Sequence, residues 1–155
     1  MVQPMRWIIC LLLSLCVCAP SSFAQAIPAG FNDEGIHWHD FDEGQAKAEA
    51  EGKAIFVVVH ATWCPTCRAY RKLFFDPRVE AAATDVVFVL VDEDAESEVA
   101  KNLVPDGAYV PRSFVIIDGV LRTEIRGGRD DFKFFLDTSK PDELLGVLAQ
   151  AMAAQ

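Results

Sequence analysis

Trp63-Cys64-Pro65-Thr66-Cys67 decides how this sequence is read. It follows a continuous apolar, β-branched run, Ala54 to His60, and opens a helical stretch that starts near Cys67. A strand running into a turn with two cysteines two residues apart can close a small disulfide ring or present a thiolate. At a helix start, backbone N–H groups and the positive end of the helix dipole favour a thiolate. Cys64 is therefore read as the exposed nucleophile and Cys67 as the more buried, resolving thiol. Arg68 either adds positive field beside the pair or simply extends its guanidinium into solvent.

Outward from this stretch the elements alternate. Ile36 to His39 is a short edge strand. Asp40 stands where a helix N-cap would stand, with Glu43 three residues on. Gln45 to Glu51 is rich in good helix formers, Glu43 and Lys47 make a favourable i,i+4 pair, and Gly52 fits the helix end. Gly44 weakens that helix. Ala54 to Val59 and Val86 to Val91 are unbroken apolar runs, the signature of strands covered on both faces. Between them, Arg68 to Phe75 suits an amphipathic helix that Asp76-Pro77 ends or kinks. A short helix through Leu103 follows the second run. Ser113 to Ile117 and Val120 to Ile125, joined by Asp118-Gly119, read as a hairpin. Pro141 opens a final helix on which Leu144, Leu145, Leu148 and Met152 recur. Trp38 and the aromatic residues Phe74, Phe75, Phe132, Phe134 and Phe135 are most simply read as core. The fold class is α/β, with a mixed central sheet of about four strands flanked by helices.

The chain has 155 residues, the size of one domain, and a formal charge of −9. So acidic a surface repels phosphate backbones, which argues against nucleic acid as a partner. Residues 1–24 read as an export signal: Arg6 is the positive start, Trp7 to Val17 the apolar run, and Ser22-Phe23-Ala24 the cleavage site. The apolar run is short for a bilayer span, so stable membrane insertion is not expected after cleavage. Cys16 and Cys18 lack the preceding small residue of a lipid-modified cysteine. Residues 25–35 are a linker and 36–155 the domain. Cleavage removes Cys10, Cys16 and Cys18 and leaves only Cys64 and Cys67. A disulfide between them closes too small a loop to restrain the unfolded chain, so the pair is better explained by chemistry than by stability.

Three stretches together carry a resemblance: Ile36-His37-Trp38, Val59-His60-Ala61-Thr62-Trp63-Cys64, and Pro105-Asp106-Gly107-Ala108-Tyr109-Val110-Pro111-Arg112. From about Gly30 to the C-terminus the chain resembles the thioredoxin superfamily. Within it, the chain is similar to small single-domain proteins of the secretory pathway, the thioredoxin domain-containing protein 12 and anterior-gradient group. The resemblance implies a thioredoxin-like fold and thiol–disulfide exchange on protein disulfides. It also implies a cis Val110–Pro111 bond facing the cysteines, with Val110 and Trp63 lining a substrate groove. The buried acid that assists proton transfer in thioredoxin falls here on Val58, and His60 is the candidate to move protons in its place. The chain ends Ala153-Ala154-Gln155, without the retention signal of that group. Periplasm or secretion is the expected destination.

Other readings weigh against this one. A closed zinc site needs four ligands, and His37, His39 and His60 could supplement the cysteines, though His-x-His is an unusual half-site. Copper or zinc handling and a non-catalytic binding or chaperone module are the alternatives. Asp92-Glu93-Asp94 lacks the glycine and terminal Glu of a calcium loop and reads as a solvated turn. No cofactor and no metal site is assigned. The expected partners are substrate proteins with cysteines or disulfides and a separate redox-recycling protein, and the domain is expected to be a monomer.

Overall fold

The computed structural model describes residues 30–155. The export signal and most of the linker lie outside the described residues. In order, the elements are β1 (Trp38–His39), α1 (Phe41–Glu51), β2 (Ile55–His60), α2 (Pro65–Tyr70), a 3-10 turn (Arg71–Phe75), α3 (Pro77–Ala82) and β3 (Val87–Asp92). They continue with α4 (Ser97–Asn102), β4 (Arg112–Ile117), β5 (Val120–Leu121) and α5 (Pro141–Ala153). The sheet order is β1-β3-β2-β4-β5. β1, β3 and β2 run parallel, and β4 and β5 run antiparallel to their neighbours. Five strands thus stand where about four were expected, because both edges are two-residue strands. The second strand of the hairpin stops at Leu121 rather than reaching Ile125, since Arg122 to Ile125 turn away after Arg122 N–H reaches Val115 O.

The unbroken apolar runs are explained by two cores, one on each face of the sheet. On β2, Phe56 and Val58 enter one core with Trp38, Tyr70, Phe74, Phe88, Leu144 and Leu148. Ile55, Val57 and Val59 alternate into the other, with Val89, Val91, Ala100, Phe114 and Phe134. Every residue of β2 is buried, as a central strand with helices on both faces requires.

Several local expectations are corrected. The end of the expected linker is packed, because Phe31 is fully buried and its carbonyl accepts the Trp38 indole N–H at 2.7 Å. Arg68 to Phe75 is not one helix but α2 tightening into the 3-10 turn, which buries Leu73 and Phe74 and leaves Phe75 exposed. Phe132, expected in the core, is exposed and stacks edge-on against Tyr109. Asp40 caps α1 through the Glu43 N–H at 2.8 Å, as expected, but Glu43 turns to His39 while Lys47 pairs with Glu51. Gly44 is no weakness: a Cβ there would sit 2.1 Å from Val89 Cγ2. Its absence lets α1 lie directly on β3.

Candidate active site

The site is built at the C-terminal end of β2. Ala61 ends the strand's run, its carbonyl accepts the Cys64 N–H at 3.2 Å, and Cys64 becomes the N-cap of α2 with Pro65 in the first turn. The Cys67 N–H donates to Cys64 Sγ at 3.1 Å. Capping by a sulfur where Ser or Asp is usual ties the two cysteines into one turn. Both cysteines are free thiols.

The Val110–Pro111 peptide bond is cis, and the loop that carries it closes over the pair. The Cys64 thiol lies 3.6 Å from Val110 O, and Val110 packs with Ala61, Cys64 and Cys67 in a small apolar cluster. Pro111 is buried. Cys64, expected to be exposed, keeps only 4% of its surface, against none for Cys67. Burial, reinforced by the hydrogen bond with Cys64, pushes the Cys67 thiol up to about 12. Cys67 is therefore held as a neutral thiol at ordinary pH. Trp63 stands 62% exposed beside the pair, with its indole N–H donated to Asp94 at 2.9 Å. Arg68 is exposed.

His60 is fully buried at the end of β2, tilted against the Phe31 ring at 5.0 Å. Neither of its ring nitrogens has a hydrogen-bond partner, and the nearest acid, Asp92, stays 3.9 Å away. Burial lowers its pKa and holds it neutral, with Asp92 opposing and Arg71 adding to the effect. Val58, on the strand below the cysteines, is buried and apolar, so no acid occupies that position.

Asp92-Glu93-Asp94 is not merely a solvated turn. Asp92 Oδ1 accepts the N–H groups of Asp94 and Ala95 and shapes the turn. Glu93 N–H reaches His60 O at 2.8 Å, and Glu93 Oε2 accepts from Arg112 at 2.6 Å. Asp94 holds Trp63. Three successive acids thus link the end of β2, the motif tryptophan and the proline loop. Arg112 is the residue the sequence reasoning passed over. It is 1% exposed, and its guanidinium also donates to the carbonyls of Leu103, Ala100 and Tyr109 at 2.7, 2.9 and 2.7 Å. An arginine at the start of a largely apolar strand was the available signal, since a buried charge must find partners.

Comparison with known proteins places this fold in a family. Residues 37–117 match a family model described as thioredoxin-like. The chain belongs to the thioredoxin-like family. Anterior gradient protein 3 of Xenopus tropicalis is 30% identical over 123 residues, covering 77% of this chain and 71% of that protein. Anterior gradient protein 2 homolog of Homo sapiens is 31% identical over 106 residues, covering 66% of this chain and 58% of that protein. Among solved structures, a thioredoxin from Thermus thermophilus superposes with a TM-score of 0.57 at 22% identity, covering 75% of this chain and 86% of its own. The first thioredoxin domain of mouse Protein disulfide-isomerase A4 gives 0.51 at 13% identity, covering 84% and 87%. These structures show the shared thioredoxin-like fold. The Trp63–Cys67 motif and the Val110–Pro111 loop both fall inside the matched stretch. No helix among the described residues is long and apolar enough to cross a membrane.

Proposed function

We propose that this thioredoxin-like chain exchanges disulfides with other proteins through Cys64 and Cys67. The observation that carries the reading is the 3.1 Å contact from the Cys67 N–H to Cys64 Sγ, beneath the Val110–Pro111 loop. One turn of backbone thus keeps the second sulfur within reach of whatever bonds to the first. In the reducing direction the Cys64 thiolate attacks a substrate disulfide, forms a mixed disulfide and expels one substrate thiolate. Cys67 then loses its proton, attacks Cys64 Sγ, closes the Cys64–Cys67 disulfide and releases the second substrate thiolate. The reverse sequence oxidises a substrate dithiol.

The roles follow from burial. Cys64 has the little exposure that exists, so it meets the substrate first. Cys67 stays protonated until the mixed disulfide opens the site, which prevents it from competing for substrates. Its proton leaves to water or to His60, a neutral buried base at the end of β2. An extended substrate segment lies along Trp63, Val110 and Pro111. Export through the leader places the pair outside the cytosol, where protein disulfides persist. A separate redox protein resets the pair.

Replacing Cys67 by Ser tests the mechanism. The variant retains attack by Cys64 but has no thiol to release the product. Stable mixed disulfides to Cys64 are expected on non-reducing gels, with multiple turnover reduced to background. Absence of any mixed disulfide, in Cys67→Ser protein incubated with disulfide-bonded substrate, contradicts the proposal.

A further inference from the structure

On β1 the side chains divide by face. Trp38 enters the core, and His37 and His39, two residues apart, share the opposite face. Their rings meet edge-on with centroids 4.4 Å apart. α1 begins directly afterwards, and Gly44 allows it to approach so closely that a Cβ there would stand 3.5 Å from His39 Cβ. Glu43, in the first turn of α1, is thereby brought back over the histidine pair. One ligand atom from each of His37, His39 and Glu43 lies within 4.8 Å of the other two.

The buried member of this group lacks a satisfied bond. The His39 side chain is 5% exposed, yet its Nδ1 has no hydrogen-bond partner. Glu43 Oε1 stands 3.2 Å from that nitrogen but outside hydrogen-bond alignment. A buried nitrogen without an aligned hydrogen bond, facing a carboxylate and a second imidazole, is a set of ligand atoms that a cation would complete.

We propose that His37, His39 and Glu43 form a binding site for one divalent transition ion of the zinc class. Two imidazoles and a carboxylate suit zinc, copper or nickel rather than calcium or magnesium, which prefer all-oxygen shells. Ligand atoms about 2.0–2.2 Å from a tetrahedral zinc lie roughly 3.4 Å from one another. The group therefore needs to contract by at most about 1.4 Å from the 4.8 Å limit. His37 and Glu43 are exposed and have the side-chain freedom to do so, while His39 is fixed by packing. Asp42 and Glu43 make the first turn of α1 acidic, which also favours a cation. Three protein ligands leave a coordination position open to solvent or to a fourth donor. The site uses neither cysteine and stands on the sheet edge, two strands from β2, so it does not depend on the redox reading.

The test is a zinc titration of the full chain, followed by the imidazole NMR signals of its three histidines. Saturable shifts of His37 and His39 at one equivalent are expected, with His60 unmoved. His37→Ala and Glu43→Gln alter exposed side chains, so both should keep the parent's circular dichroism. Each is expected to weaken zinc binding at least about 10-fold, the loss known for changes even beyond the direct ligands. Zinc that shifts only His60 or binds only the thiols overturns the site. So does equal affinity in His37→Ala and the parent. Either result leaves disulfide exchange by Cys64 and Cys67 untouched.

Discussion

The two ends of the central sheet are closed by different chemistry. At the end away from the cysteines, two of the turns close on backbone geometry. Gly52 closes α1 with φ +64°, Lys53 N–H returns to Ala48 O, and Asp118-Gly119 makes the hairpin with φ of 51° and 73°. At the cysteine end, side chains bond segments that are distant in sequence. Trp63 reaches Asp94, and Arg112 reaches Glu93, Ala100 and Leu103. One end needs only to reverse the chain. The other must hold a thiol pair, a tryptophan and a proline loop in fixed relation, and local turns cannot do that across three separate segments.

Removing the guanidinium is the strongest way to break this contrast. Arg112→Met fills similar volume but takes one donor from each of the Leu103, Ala100 and Tyr109 carbonyls and leaves Glu93 without its partner. Removing one partner of a buried pair costs about 3–5 kcal/mol. The lower part of that range is expected, because Glu93 is 28% exposed and regains water. Urea unfolding measures the loss, and Arg112→Lys should recover little of it, since an ammonium cannot span the same fork of acceptors. Stability within about 0.5 kcal/mol of the parent, the range of an ordinary surface change, would show that the buried link is not structural.

Gly44 sharpens the same comparison where α1 lies on the sheet. Gly44→Ala gains helix propensity of about 1 kcal/mol but drives a methyl into Val89. Overpacking costs about 1–3 kcal/mol, so net destabilisation of α1 is expected in thermal melts. A stabilised variant would contradict the close packing of α1 on β3.

An effect confined to alkaline solution is expected as well. The Cys67 thiol titrates near its ordinary value of 9.0 when unfolded but is held up to about 12 when folded. Between those values the folded chain keeps a proton that the unfolded chain has lost. The contribution is therefore fully present below pH 9 and declines as pH rises toward 12, by at most about 1.4 kcal/mol per pH unit. Comparison of the reduced parent with Cys67→Ser, in unfolding series across that window, isolates it from lysine and tyrosine titration. Parallel pH curves would contradict the burial of the thiol.

What could be read from the sequence follows the same division. The strands of the apolar runs, the Asp40 and Gly52 caps, the Asp118-Gly119 turn and the cysteine pair are each set by a few adjacent residues, and all were legible. The cis Val110–Pro111 bond came through resemblance rather than through local pattern. Arg112, Glu93 and Asp94 were misread because their partners lie 9 to 31 residues away, where charge alone suggests only a solvated loop. Phe75 and Phe132 were misplaced because aromatic composition does not reveal which way a 3-10 turn or a left-handed residue will aim a ring.

The central claim is that Cys64 and Cys67 act as one two-electron couple. Equilibrating the full chain across glutathione buffers of graded potential, then counting free and linked thiols at each position by mass spectrometry, tests it directly. The account predicts a single transition in which both thiols disappear together into an internal Cys64–Cys67 disulfide. Two thiols that titrate separately, or that form only independent glutathione adducts, would contradict it.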